Sequence, residues 1–252
     1  MKAKARHKLK ENEVVHALNV VRDFVAPRGK QISSVVVAIV VIAVLGLGVQ
    51  LYRGRTDARA QQMLGEAMVA LNARVVPANA PAGEAGEAPA AAMLEAQGSF
   101  ATEEAKLKAA LPKLKATADA YPDKTEGIIA RYHMAGALAS LGQNNEAIQA
   151  YDEVVRRAGP DTIYGRMARL GKADTQAKAG QVDAAIGTWK ELASTSGNDD
   201  PLPKDAILME LGRAYASKGD QAEAKKAFTQ VIDEHPDSPY MQEARAELGL
   251  SN

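Results

Sequence analysis

Three glycines recur at near-constant spacing: Gly142, Gly180 and Gly219, 38 and 39 residues apart. Each opens a similar string: GQNNEAIQAYDEVV, GQVDAAIGTWKELA and GDQAEAKKAFTQVI. An alanine stands five residues after each glycine (Ala147, Ala185, Ala224), and an aromatic four residues later (Tyr151, Trp189, Phe228). Val154, Leu192 and Val231 follow three further on. Seven residues upstream of the glycines are Ala135, Ala173 and Gly212. Such self-similarity predicts stacked copies of one supersecondary unit. The apolar spacing is that of amphipathic helices. Glycine ends a helix in a left-handed turn that other residues resist. Small side chains let two helices cross closely. Helix breakers then close each unit: Gly159-Pro160, Gly197 to Pro203, and Pro236.

These positions resemble the tetratricopeptide repeat. The last unit fits its L-G-x-x-Y…G…A…F…P pattern at Leu211, Gly212, Tyr215, Gly219, Ala224, Phe228 and Pro236. Gln176 replaces the usual aromatic in the middle unit. A fourth unit is expected upstream. Residues 56–75 supply one helix, with Met63, Ala67, Ala70 and Leu71 on a face, and residues 102–121 its partner, in which Pro112 kinks or restarts the helix. Between them, 76–101 is an Ala/Pro/Gly-rich insertion of low complexity. Residues 240–249 form a helix that caps the stack. The expected fold is all-α: a tetratricopeptide-like solenoid of about four helical hairpins behind one N-terminal membrane helix.

That membrane helix is read from residues 32–52, ISSVVVAIVVIAVLGLGVQLY. Twenty-one residues rising about 1.5 Å each match a hydrocarbon core of about 30 Å. No polar side chain interrupts Val35 to Val49. The core is longer than a signal peptide's, and Tyr52-Arg53-Gly54-Arg55 offers no small-residue cleavage site. The leader, 1–31, holds eight of the 31 basic residues and three of the 31 acidic ones. The positive-inside rule therefore puts it in the cytoplasm. Residues 53–252, acidic by the remaining difference of five, are then exported. A bacterial inner membrane and periplasm are the expected setting. Val14, Leu18, Val21 and Val25 form one stripe on a leader helix, ended by Ala26-Pro27-Arg28-Gly29. It serves either as an interfacial helix on membrane lipid or as a docking helix for a membrane partner.

No catalytic constellation appears. Cysteine is absent, which excludes disulfides, thiolate metal sites and thiol nucleophiles. The charge balance is even, unlike a nucleic-acid binder's. Gly165 to Lys172 is a near miss for a phosphate loop, with five residues between its glycines and Ala173 in place of Ser/Thr. His133 and His235 have no ligand partners nearby in sequence. Neither a metal nor a cofactor is expected, and the chain is read as non-enzymatic. The repeat resemblance implies instead a concave groove lined by the first helix of each unit. It assigns Ile129, Tyr132 and Gly136 to that groove, then Met167, Leu170 and Asp174, then Met209 and Arg213. The competing expectation is that these residues simply pack between neighbouring helices.

The order of segments (a charged leader with one amphipathic helix, one anchor, an exported repeat domain) resembles the YfgM-like proteins. That resemblance implies an ancillary subunit of the SecYEG protein-export translocon, with a periplasmic chaperone and exported polypeptides as partners. A second possibility is an envelope assembly or division scaffold of the outer-membrane or Tol-Pal type. The oligomeric state is not set by the sequence.

Overall fold

The computed structural model describes residues 29–76, 98–195 and 202–250, with side chains from residue 41 onward except residue 52. The leader stripe at 14–25, the break at 26–28 and most of the insertion lie outside these residues. Two units divide the chain, Met1–Ala58 and Arg59–Asn252. Helix α1 runs from Gly29 to Leu71, 43 residues, so the expected anchor and the helix after it form one continuous element. In the first unit the large apolar side chains of this helix stand in the open. Ile42, Val44, Leu45, Leu47 and Leu51 are each about 60–70% exposed, which no buried core helix would show. Among the described residues no helix is both long and apolar enough to cross a membrane. The backbone of 32–40 belongs to α1, but its side chains lie outside that description.

The second unit begins with the end of α1, where Ala60, Ala67 and Ala70 are buried. Helix α2 (Glu103–Ala120) follows, then α3 (Thr125–Ser140) and α4 (Asn144–Ala158). Next come α5 (Ile163–Lys178), α6 (Val182–Thr195), α7 (Lys204–Ser217), α8 (Gln221–Glu234) and the capping α9 (Met241–Glu247). Consecutive helices from α2 through α9 pack on one another. The helix expected at 102–121 is present. The Thr102 hydroxyl accepts from the Ala105 amide, and Glu103 and Glu104 sit in the first turn, where the helix dipole favours acids. Pro112 lies within this one unbroken helix, so it restarts nothing.

The hairpin turns follow one design. Gly142, Gly180 and Gly219 have φ of 75°, 79° and 81°. The residue after each glycine donates its amide to a carbonyl five back: Gln143 to Leu138, Gln181 to Gln176 and Asp220 to Tyr215, at 2.8–2.9 Å. This six-to-one bond is the Schellman closure, and its left-handed position suits glycine. The alanines and branched residues of the pattern are buried: Ala147, Ala185, Val154, Leu192 and Val231 at 0%. Full burial of a leucine- or phenylalanine-sized side chain contributes about 1.5–3 kcal/mol, so the stacked cores hold the array together.

The aromatics at the shared position behave differently from one another. Phe228 fills the space beside Gly212 on the first helix of its own unit. Tyr151 lies between Gly136 of its own unit and Gly171 of the next. Upstream, Ala67 and Ala70 share a core with Ala110, Leu114, Ala118 and Ala130. At the two edges of the insertion, the otherwise helical chain forms a short strand pair that the repeat pattern does not predict. Strands β1 (Arg74–Val75) and β2 (Ser99–Phe100) pair in parallel, Arg74 with Ser99 and Val75 with Phe100.

Candidate protein-binding surface

The first helices α3, α5 and α7 carry all eight residues assigned to the groove. Ile129 and Tyr132 are half-buried on α3. Met167 and Leu170 are half-buried on α5 and pack against the C-terminal core, with part of each side chain still accessible. Met209 is a correction. It is 0% exposed and belongs to that core, so it offers nothing to a partner. The physical reason is that α7 buries Ile207, Leu208, Met209 and Leu211 together, so it is apolar on several faces rather than along one stripe. The consecutive Ile-Leu-Met in the sequence carried that signal. Arg213 is tied to Glu210 on its own helix and to Glu243 on α9. The hydrogen bond it donates to Glu243 leads the effects that raise its pKa, so it stays charged, with both terminal nitrogens engaged.

Around Tyr132 the structure assembles a polar-aromatic cluster. Its ring lies edge-on to Tyr151 at 5.9 Å, to Tyr164 at 6.2 Å and to His133 at 5.4 Å. Edge-on contacts of this kind each add about 0.5–1.5 kcal/mol beyond area. Asp174, on α5, accepts a 3.1 Å hydrogen bond from the Trp189 indole. Burial raises the Asp174 pKa, the indole bond lowers it and nearby Glu210 raises it. Burial also raises the Tyr132 and Tyr151 hydroxyls, with Asp174 adding to both, and lowers His133. These groups join α3, α4, α5 and α6 through ring contacts and one hydrogen bond. Tyr164 and Trp189 were not assigned to this region from the sequence. The recurrence of an aromatic at the Trp189 position was visible there, but its bond to Asp174 was not.

The two glycines of the phosphate-loop near miss are explained by packing. An added Cβ at Gly165 would strike the Gly159 carbonyl, and one at Gly171 would strike the Tyr151 ring. Both sit inside α5. Among the described residues no group of three His, Asp or Glu is placed to hold a metal ion.

Two stretches match family models of the tetratricopeptide repeat, residues 129–160 and 206–238. No curated protein matches the chain. Among solved structures, it is similar to TPR-like repeats of a putative kinesin light chain from Podosopora anserina. The TM-score is 0.50 and the identity 19%, over 58% of this chain and 77% of that one. A variant form of the same protein gives 0.50 and 20% over the same shares. A tetratricopeptide repeat protein from Parabacteroides merdae gives 0.48 and 16%, over 58% and 54%. At such identities the likeness speaks to fold. The middle pair, α5 and α6, falls between the two matched stretches yet folds as the same hairpin. This chain therefore carries tetratricopeptide repeats at 129–160 and 206–238, within an all-helical stack of the same kind.

Proposed function

We propose that this protein is a non-enzymatic, membrane-anchored tetratricopeptide scaffold. It works beside the protein-export translocon, on the periplasmic side of a bacterial inner membrane. Solenoids of helical hairpins present extended surfaces to other proteins. The observation that carries the anchoring is the exposed apolar flank of α1, from Val41 to Leu51. Water is a poor solvent for so many adjoining Val, Ile and Leu side chains; lipid is a good one. Anchoring raises the local concentration of partners, so modest contacts at Tyr132, Met167 and Leu170 suffice. Exported polypeptides, or an exposed segment of a periplasmic chaperone, are the proposed occupants.

The absence of native cysteine makes the test clean. Single-cysteine variants Tyr132→Cys and Met167→Cys, cross-linked in intact cells, are expected to capture translocon components or nascent exported chains. Cross-links only to division or barrel-assembly proteins would favour the envelope-scaffold alternative. Release of the full chain by carbonate, or a C-terminal reporter found in the cytosol, would overturn the anchored reading.

A further inference from the structure

Two clefts occupy equivalent places on the side of the second helices. Each is floored by a first helix and walled by the second helices before and after it. One, of about 610 Å³, lies over α3 between α2 and α4. The other, of about 690 Å³, lies over α7 between α6 and α8. Their chemistry differs. The first is electrically closed: Lys115 and Arg131 both pair with Asp119, and Arg156 pairs with Glu153.

The second cleft is not closed in this way. Its rim carries Lys190, Lys204, Lys225 and Lys226 against a single lining acid, Glu223. Lys226 is held by Glu223, and Lys204 by Glu234 at 2.7 Å. Lys190 on α6 and Lys225 on α8 have no acidic partner among the described residues. Among the described residues, two ammonium groups without an acidic partner thus stand on opposite walls, above a floor of Leu208, Leu211 and Tyr215. Leu208 and Leu211 are core residues beneath it, so the apolar surface a ligand can touch is the half-buried Tyr215 ring. Lysine stems can lie along apolar surface while the heads stay at the rim. A ligand that is only anionic would leave the floor unused, and one that is only apolar would leave the lysines unanswered.

We propose that the cleft between α6 and α8 docks an acidic amphipathic segment of a partner protein. Its apolar side lies on the Tyr215 ring and the lysine stems, and its carboxylates meet Lys190 and Lys225. The assignment stands apart from membrane anchoring, because every residue in it lies within the second unit.

The test uses the full chain in nanodiscs of neutral lipid, with empty nanodiscs as reference. The probe is a fluorescein-labelled peptide of about 18 residues, five helical turns, with leucines on one face and glutamates on the other. Fluorescence anisotropy should show saturable binding. The double variant Lys190→Glu/Lys225→Glu should bind about tenfold more weakly, because two contacts turn repulsive. Lys115→Glu, at the electrically closed cleft, should bind as the parent does, and circular dichroism checks that both variants keep their helices. Four results would each overturn the proposal. One is no binding of the Leu/Glu peptide, and another is unchanged affinity in the double variant. The others are equal binding of a peptide with lysine for glutamate, and equal binding of one with serine for leucine. That last result would mark a general polyanion patch such as an anionic membrane would meet.

Discussion

Replacing Gly171 by alanine tests the packing between repeats directly. A Cβ placed there would lie 2.6 Å from Tyr151 Cζ, 2.7 Å from its hydroxyl oxygen and 2.9 Å from Cε1. Ordinary carbon contacts need about 3.5–4.0 Å, so the ring must retreat by roughly 1 Å. It has little room, being 6% exposed and bounded by Tyr132 and by α3 at Gly136. Overpacking of this kind costs about 1–3 kcal/mol. The gain from alanine over glycine inside a helix returns about 1 kcal/mol. The expected balance is a loss of about 0–2 kcal/mol. Gly187 in α6 is the matched control, because nothing lies within 4 Å of its added Cβ. Gly187→Ala should therefore gain about 1 kcal/mol, leaving the two variants about 1–3 kcal/mol apart. Each kcal/mol moves the melting temperature about 2–4 °C at this size, so thermal circular dichroism on the full chain resolves the gap. Adding Tyr151→Leu to Gly171→Ala should recover part of the loss, a non-additivity expected only of touching residues. If Gly171→Ala raised the melting temperature as much as Gly187→Ala does, the ring would not occupy that slot.

Three further outcomes are expected at other sites. Gln176 is 8% exposed and its Oε1 has no hydrogen-bond partner among the described residues, while Leu138 holds the equivalent position one unit earlier. Gln176→Leu should therefore stabilise by about 1 kcal/mol in denaturant titration, and a loss would show that the amide is satisfied. Burial raises the Asp174 pKa in the folded state. The folded protein then holds that proton longer than the unfolded chain, so the stability it contributes is present at low pH. It is lost as pH rises from the usual Asp value to the higher folded one. Asp174→Asn keeps an acceptor for Trp189, so its advantage over the parent should grow across that window. A constant difference from about pH 4 to pH 7 would refute this. Gly180→Ala, at φ of 79°, should cost about 1–2 kcal/mol of thermal stability, and a neutral result would mean that the turn relaxes.

The repeat register was legible because it rests on local rules. Glycine at a left-handed turn and small residues at a crossing act within one hairpin, and these and the buried aromatics appear where the spacing put them. The groove was less legible because it depends on what neighbouring helices cover. Tyr132, Met167 and Leu170 keep some exposure, but Met209 is closed off. No residue beside Arg213 announces Glu243, which is 30 positions away on a different helix. The Trp189–Asp174 bond and the tyrosine cluster likewise join separate helices. The β1–β2 pair was invisible for the opposite reason. Two residues on each strand are too few to show any alternation.

That short pair has an engineering corollary. Arg74 and Val75 lie beside Ser99 and Phe100, and the Val76 amide donates to the Phe100 carbonyl at 2.8 Å. The two ends of the chain flanking residues 77–97 are thus held side by side. Closure entropy grows only with the logarithm of the excursion, about 0.6 kcal/mol per doubling of its length. Residues between 77 and 97 are consequently the place to splice in a fluorescent protein or an affinity module, with the β1–β2 pair and the hairpins downstream left as they are.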